Sequence, residues 1–135
     1  MKRTIYFLVV FILGSSLCLR AQQPKPEWVT IKSANLRCWE CKERLDRYLL
    51  LEKDNTDNGI LQWKINLLQG EIRVQFLPDR TTTGAIKAAL NNAGFDADAE
   101  KAEPEAYKKL PPVCKRAEDG GGPQKGKPCH IPPVN

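Results

Sequence analysis

The sequence predicts an α+β fold in which one antiparallel sheet carries two helices on a single face. Three observations lead there. Two-residue alternation over 61–67 and again over 71–76 marks a pair of half-buried strands. Two amphipathic segments at helical spacing flank that pair, one before it and one after. A short alternating stretch precedes the first helix, and a short apolar stretch follows the second. The resulting order over 27–101 is βαββαβ, the split βαβ or ferredoxin-like order. One sheet with helices on one face is the economical way to bury such stripes. A segment of roughly 75 residues can hold a modest core.

Each element has its own warrant. Val29 and Ile31 alternate with Thr30 and Lys32 in the first strand, and Trp28 breaks the alternation at its start. Leu45, Tyr48, Leu49 and Glu52 fall at helical spacing, with charged residues at 42, 43, 46 and 47 on the other face. That predicts a helix from Trp39 to Lys53, ended by the polar run from Asp54 to Gly59. Leu61, Trp63, Ile65 and Leu67 then point one way, and Gln62, Lys64 and Asn66 the other. Gln69-Gly70 allows a tight turn into the next strand, where Ile72, Val74 and Phe76 alternate with Glu71, Arg73 and Gln75. Thr82 or Thr83 can cap the second helix, whose apolar stripe is Ile86, Ala89, Leu90 and Ala93. Gly94 sits where a C-cap glycine belongs, and Phe95 to Ala99 is the candidate last strand. Trp63 is expected in the core and Trp28 over the sheet edge. Trp39 is the tryptophan placed to be functional.

The ends read differently. Lys2 and Arg3, an apolar run from Ile5 to Gly14, and Leu19-Arg20-Ala21 give residues 1–21 the layout of a secretory signal peptide. The run is short for a membrane span, so no stable insertion is expected once the leader is removed. A second reading makes Cys18 a lipid-carrying cysteine, although Leu17 is large for such a signal. Residues 22–26 form a tether and 102–135 a flexible, cysteine-bearing tail rich in Pro and Gly, with one or two helical turns expected over Pro104 to Leu110 and little regular structure from Pro111 on. Lys115-Arg116 and the lysines at 125 and 127 read as solvated. The chain of 135 residues carries a formal charge of +5, and removing the leader leaves it near +2, with both signs interspersed. That excludes the basic stripe a nucleic-acid partner needs. The expected location is periplasmic or secreted, where disulfides can form.

The chemistry centres on "RCWECKERL". Cys38 and Cys41 lie in the first strand-to-helix loop and the first helical turn. Unpaired N–H groups and the helix dipole favour a thiolate there. Thiolates select soft ions such as Cu(I), Hg(II) and Zn(II) over Mg or Ca. Two sulfurs suit a low-coordinate ion such as Cu(I) or Hg(II), whereas zinc wants two more ligands.

The segment resembles the heavy-metal-associated domain of copper chaperones, mercuric-ion-binding proteins and metal-pumping ATPases. That family's Gly-Met-x-Cys-x-x-Cys stands here as Asn35-Leu36-Arg37-Cys38-Trp39-Glu40-Cys41. Gly59-Ile60, the hairpin closing at Gly70, Val74 and Gly94-Phe95-Asp96-Ala97 also look like family landmarks. Asn35 and Leu36 depart from the motif, and Arg37 and Trp39 make the loop bulkier. The resemblance implies that Cys38 and Cys41 carry a soft ion, most readily Cu(I), by ligand exchange. It also implies a metal-transporting membrane ATPase or efflux protein as partner.

Other states of the cysteines stay open. Cys38 and Cys41 can form a plain disulfide or act as a thiol redox pair, and the domain can be a non-metal interaction module. Cys114 and Cys129 can bridge each other across the tail or supply further metal ligands, with His130 beside them. No catalytic constellation is visible, and Gly120 to Gly122 has neither the strand before it nor the helix after it that a phosphate-cradling loop needs. The chain is therefore expected to bind metal rather than to be an enzyme.

Overall fold

The computed structural model describes residues 24–56, 58–123 and 129. Its elements are β1 (Glu27–Lys32), α1 (Trp39–Thr56), β2 (Ile60–Asn66), β3 (Glu71–Phe76), α2 (Thr83–Asn92) and α3 (Pro104–Lys108). Two 3₁₀ turns follow, at Pro112–Cys114 and Ala117–Asp119. The sheet is antiparallel with strand order β1-β3-β2.

Alternation sets the faces of the sheet. Val29 pairs with Val74 and Ile31 with Ile72, while Trp63 and Ile65 oppose the same two residues of β3 from the other side. These side chains join Cys41, Leu45 and Leu49 of α1 and Ile86 and Leu90 of α2 in one core cluster. Both helices therefore lie on one face, as the amphipathic stripes require. The other face stays polar, with the Arg73 guanidinium 5.3 Å from the centre of the exposed Trp28 ring. Trp63 is only partly buried, because its indole N–H donates to the Asp46 carboxylate at 2.7 Å.

The structure corrects several details. Helix α1 continues through Asp54, Asn55 and Thr56, three residues past the expected end. A bulge between Ile60 and Gln62 leaves Leu61 out of the pairing, with Ile60 opposite Phe76 and Gln62 opposite Gln75. The hairpin loop is the four residues 67–70, so Leu67 lies in the turn, packed against the core. Asn66 organises that loop by accepting from the N–H groups of Leu68 and Gln69, at 3.1 and 3.3 Å. Thr82 is the cap of α2, its hydroxyl accepting from Ala85 N–H at 3.2 Å.

The expected last strand over 95–99 is not a strand. It is reduced to one bridge, Ala97 to Glu100, and a contact with the end of β1. Asp98 explains this. Its N–H donates to Lys32 carbonyl oxygen at 2.8 Å, and its carboxylate, in place of a backbone carbonyl, accepts from Lys32 N–H at 2.9 Å. Its φ of +56° turns the chain away before a ladder can grow. The helical turn expected over Pro104 to Leu110 forms as α3, but the tail is not the flexible segment expected. Residues 102–119 pack on the domain through Ala102, Leu110 and Cys114, all buried.

Gly70 joins the hairpin loop to the start of the cysteine loop. Its carbonyl accepts from Ser33 N–H at 2.8 Å, its φ is +63°, and a Cβ there would lie 2.8 Å from the Ser33 carbonyl oxygen. Gly70→Ala should destabilise the fold by roughly 1–3 kcal/mol, read from urea unfolding. An unchanged midpoint would show that the loop relaxes freely.

Candidate functional site

Helix α1 begins at the cysteines. The Cys38 carbonyl accepts from Lys42 N–H at 3.0 Å, so Cys38 takes the capping position and Cys41 lies in the first turn. Cys41, Leu45 and Leu49 recur every four residues and face the core together. Leu36 fills the core just before them. Neither Cys38 nor Cys41 exposes any surface.

The sulfurs do not pair with each other. Cys38 is bonded to Cys129, with Cα atoms 5.3 Å apart, and Cys41 to Cys114, at 5.5 Å. This corrects both sequence-local readings, a Cys38–Cys41 bridge and a Cys114–Cys129 bridge. Loop entropy shows what the fold gains from these pairings. A bridge between neighbouring turn residues restricts the unfolded chain by about 2 kcal/mol, and one spanning a loop of this length by about 4. The tail bridges span 91 and 73 residues. All four cysteines named above thus meet at the start of α1. His130 and Cys18 lie outside the described residues, as does the leader. Among the described residues no group of three or more His, Cys, Asp or Glu side chains is set to hold a metal ion in this disulfide-bonded form.

A buried polar network holds the tail to the same place. Asn35 Nδ2 donates to the carbonyl oxygens of Gly94 and Cys114, both at 3.0 Å. Its Oδ1 accepts from Asp96 N–H at 3.0 Å and from the Ser33 hydroxyl at 3.1 Å. A carboxamide has two donor hydrogens and two acceptor sites, and every one is used. Asp96 then receives the Arg116 guanidinium as a fork, through Nε at 2.7 Å and Nη2 at 2.5 Å, and accepts from Ala102 N–H at 2.9 Å. Arg116 also lies 4.2 Å from the centre of the Tyr107 ring, whose hydroxyl accepts from Arg116 N–H at 2.8 Å and donates to Asp119. Arg116 is therefore not the solvated tail residue expected from sequence. It is mostly buried because the fork matches a carboxylate in planar geometry.

These partners perturb titration. Burial works to raise the Asp96 carboxyl, but the Arg116 hydrogen bond, Ala102 N–H and nearby positive charge outweigh it and hold it below the usual carboxylate range. Asp98 is also lowered, chiefly by its hydrogen bond with Lys87, then by Lys32 N–H. Sequence reasoning missed this network. The one available signal was Asn35 standing where the resembled motif has glycine.

Trp39 is half-buried, with Lys42 Nζ 4.6 Å from its ring centre, and it lines a shallow surface cavity with Glu43, Asp46 and Arg47. Among the described residues no helix is long and apolar enough to cross a membrane.

No family model matches the chain, and no curated protein matches it in sequence. Solved structures do resemble it. The crystal structure of oxidized MerP from Ralstonia metallidurans is similar over 55% of this chain and 96% of its own, at 15% identity and a TM-score of 0.47. A copper binding domain from HMA7, a P-type ATPase, matches over 53% of this chain and 89% of its own, at 24% identity and a TM-score of 0.45. The CopZ metallochaperone matches over 53% and 98%, at 22% identity and a TM-score of 0.45.

Two measurements bear on the site. Proteolysis without reduction, followed by mass spectrometry, should recover peptides linked as Cys38–Cys129 and Cys41–Cys114; a Cys38–Cys41 linkage would refute the pairing. Asp96→Asn should cost roughly 3 kcal/mol in denaturant unfolding at neutral pH, because it leaves the Arg116 charge without its partner. Since the folded carboxyl titrates below its unfolded value, this contribution is full above the unfolded value and is lost as pH falls through the folded one. The gap between the native protein and the variant should therefore narrow in acid. A gap independent of pH would argue against the ion pair.

Proposed function

We propose that residues 27–101 form a heavy-metal-associated-type domain of an exported protein that binds a soft metal ion through Cys38 and Cys41 once its disulfides are reduced. The ion is held or handed on, with Cu(I) the best fit and Hg(II) or Zn(II) as alternatives. The observation that supports this most directly is the gathering of four cysteines at the first turn of α1. Reduction there leaves closely spaced thiols at a helix start. Soft, low-coordinate ions take such ligands. The disulfide-bonded form cannot do this, since a bridged sulfur is not a thiolate. Binding is thus gated by redox state. Export through the leader at 1–21, delivery to a metal-transporting ATPase or efflux protein, and the absence of catalysis belong to the same proposal.

A second reading is thiol–disulfide exchange, favoured by the fact that both Cys38 and Cys41 are already bridged. It predicts that the protein oxidises a model dithiol without metal.

Anaerobic titration of residues 22–135 tests the metal reading. Reduced protein should bind one Cu(I) per chain against a competing chelator, and the disulfide-bonded protein should bind none at this site. The Cys38→Ser/Cys41→Ser double variant should lose the binding. Equal binding by the double variant would end the carrier reading.

A further inference from the structure

Resting on that soft-metal reading, we propose that the reduced protein holds its ion on three thiolates, Cys38, Cys41 and Cys114, and that Cys129 is not a ligand. The two tail cysteines reach the site by different means. Cys114 is buried beside Cys41, and hydrogen bonds that need no disulfide fix its backbone there. Its carbonyl oxygen accepts from Asn35, three residues before Cys38. Its N–H donates to Pro111 carbonyl oxygen at 2.9 Å. Two residues on, Arg116 is forked onto the almost fully buried Asp96. Four residues earlier, Leu110 is anchored in the core. Breaking the Cys41–Cys114 bond leaves all of these in place, so the freed sulfur stays within reach of Cys41.

Cys129 differs. Its described contacts are the bond to Cys38 and packing against the core cluster. Once that bond is broken, this packing is the contact described for it. The sequence pattern fits this asymmetry. Asn35, which departs from the resembled metal-binding motif, is the residue that holds Cys114. A glycine there would have no side chain with which to do so.

The electron balance is simple. A dithiol reductant gives two electrons and two protons to each disulfide and becomes a disulfide itself. Four thiols result. Binding of a monovalent soft ion then forms three metal–sulfur bonds and releases the protons of the thiols that ionise. Three thiolates around one ion give trigonal coordination, which suits Cu(I) and excludes a water ligand.

The test uses Cu(I) as probe on residues 22–135, reduced with a dithiol, desalted and loaded anaerobically. X-ray absorption counts the sulfur neighbours, and chelator competition gives affinity. The native protein and Cys129→Ser should both show three sulfurs and equal affinity. Cys114→Ser should show two sulfurs and bind about a hundredfold more weakly, because a ligand held at high effective concentration has been removed. Two or four sulfurs in the native protein would overturn the proposal, whether or not Cys114→Ser folds. So would a Cys114→Ser variant indistinguishable from native, or a Cys129→Ser variant that loses a sulfur. Cu(I) binding with two sulfurs that disappears in Cys38→Ser/Cys41→Ser would leave the carrier reading intact and remove only this inference. No Cu(I) binding by the native protein would remove both.

Discussion

The architecture around the cysteines depends on the side chain of Asn35. From one buried position it bonds the loop after β1, the chain after α2 and the tail at Cys114. Each of these segments arrives from a different part of the sequence, and none is joined to another by a shared strand. A carboxamide serves because it offers donors and acceptors at opposite corners of one plane. Removing it would strand several buried polar groups, each costing roughly 1–3 kcal/mol. Aspartate in its place would keep the shape and lose both donors to the carbonyl oxygens.

Around this point the protein combines covalent and non-covalent ties. The disulfides restrict the unfolded chain over long loops, which matters for a core of this size. The Asp96–Arg116 fork and the stacking on Tyr107 act in the native state. The two kinds of tie answer to different conditions. Reductant breaks the first and leaves the second, whereas acid weakens the second and leaves the first.

Legibility in the sequence followed periodicity. The β2–β3 hairpin was readable from Trp63, Ile65, Ile72 and Val74, because each alternates against polar neighbours. Both helices were readable from stripes that the core later buried. The stretch after Gly94 misled because Phe95 and Ala97 alternate like a strand. There the side chains of Asp96 and Asp98 take up the hydrogen bonds that a strand would have given its neighbour. The bulge at Leu61 was equally hidden, since alternation gives the direction of side chains but not the count of residues between paired bonds. The tail hid its order for another reason. Its Pro and Gly content argues against helix and strand, yet ordered turns need neither when Leu110, Cys114 and Arg116 each find a site on the domain.

By itself, the sequence determined the three strands β1 to β3 and the helices α1 and α2, which of their faces are apolar, and that Cys38 and Cys41 stand at a helix start. Those are local properties, set by spacing within a few residues. Only the tertiary structure decided which sulfur meets which. Four cysteines allow three pairings, and spacing alone does not choose among them. The choice was made by where Asn35 and Asp96 dock the tail, and those contacts join residues 79 and 20 positions apart. Interactions at such separations leave no periodic trace in the chain, because they depend on the shape that the folded core presents.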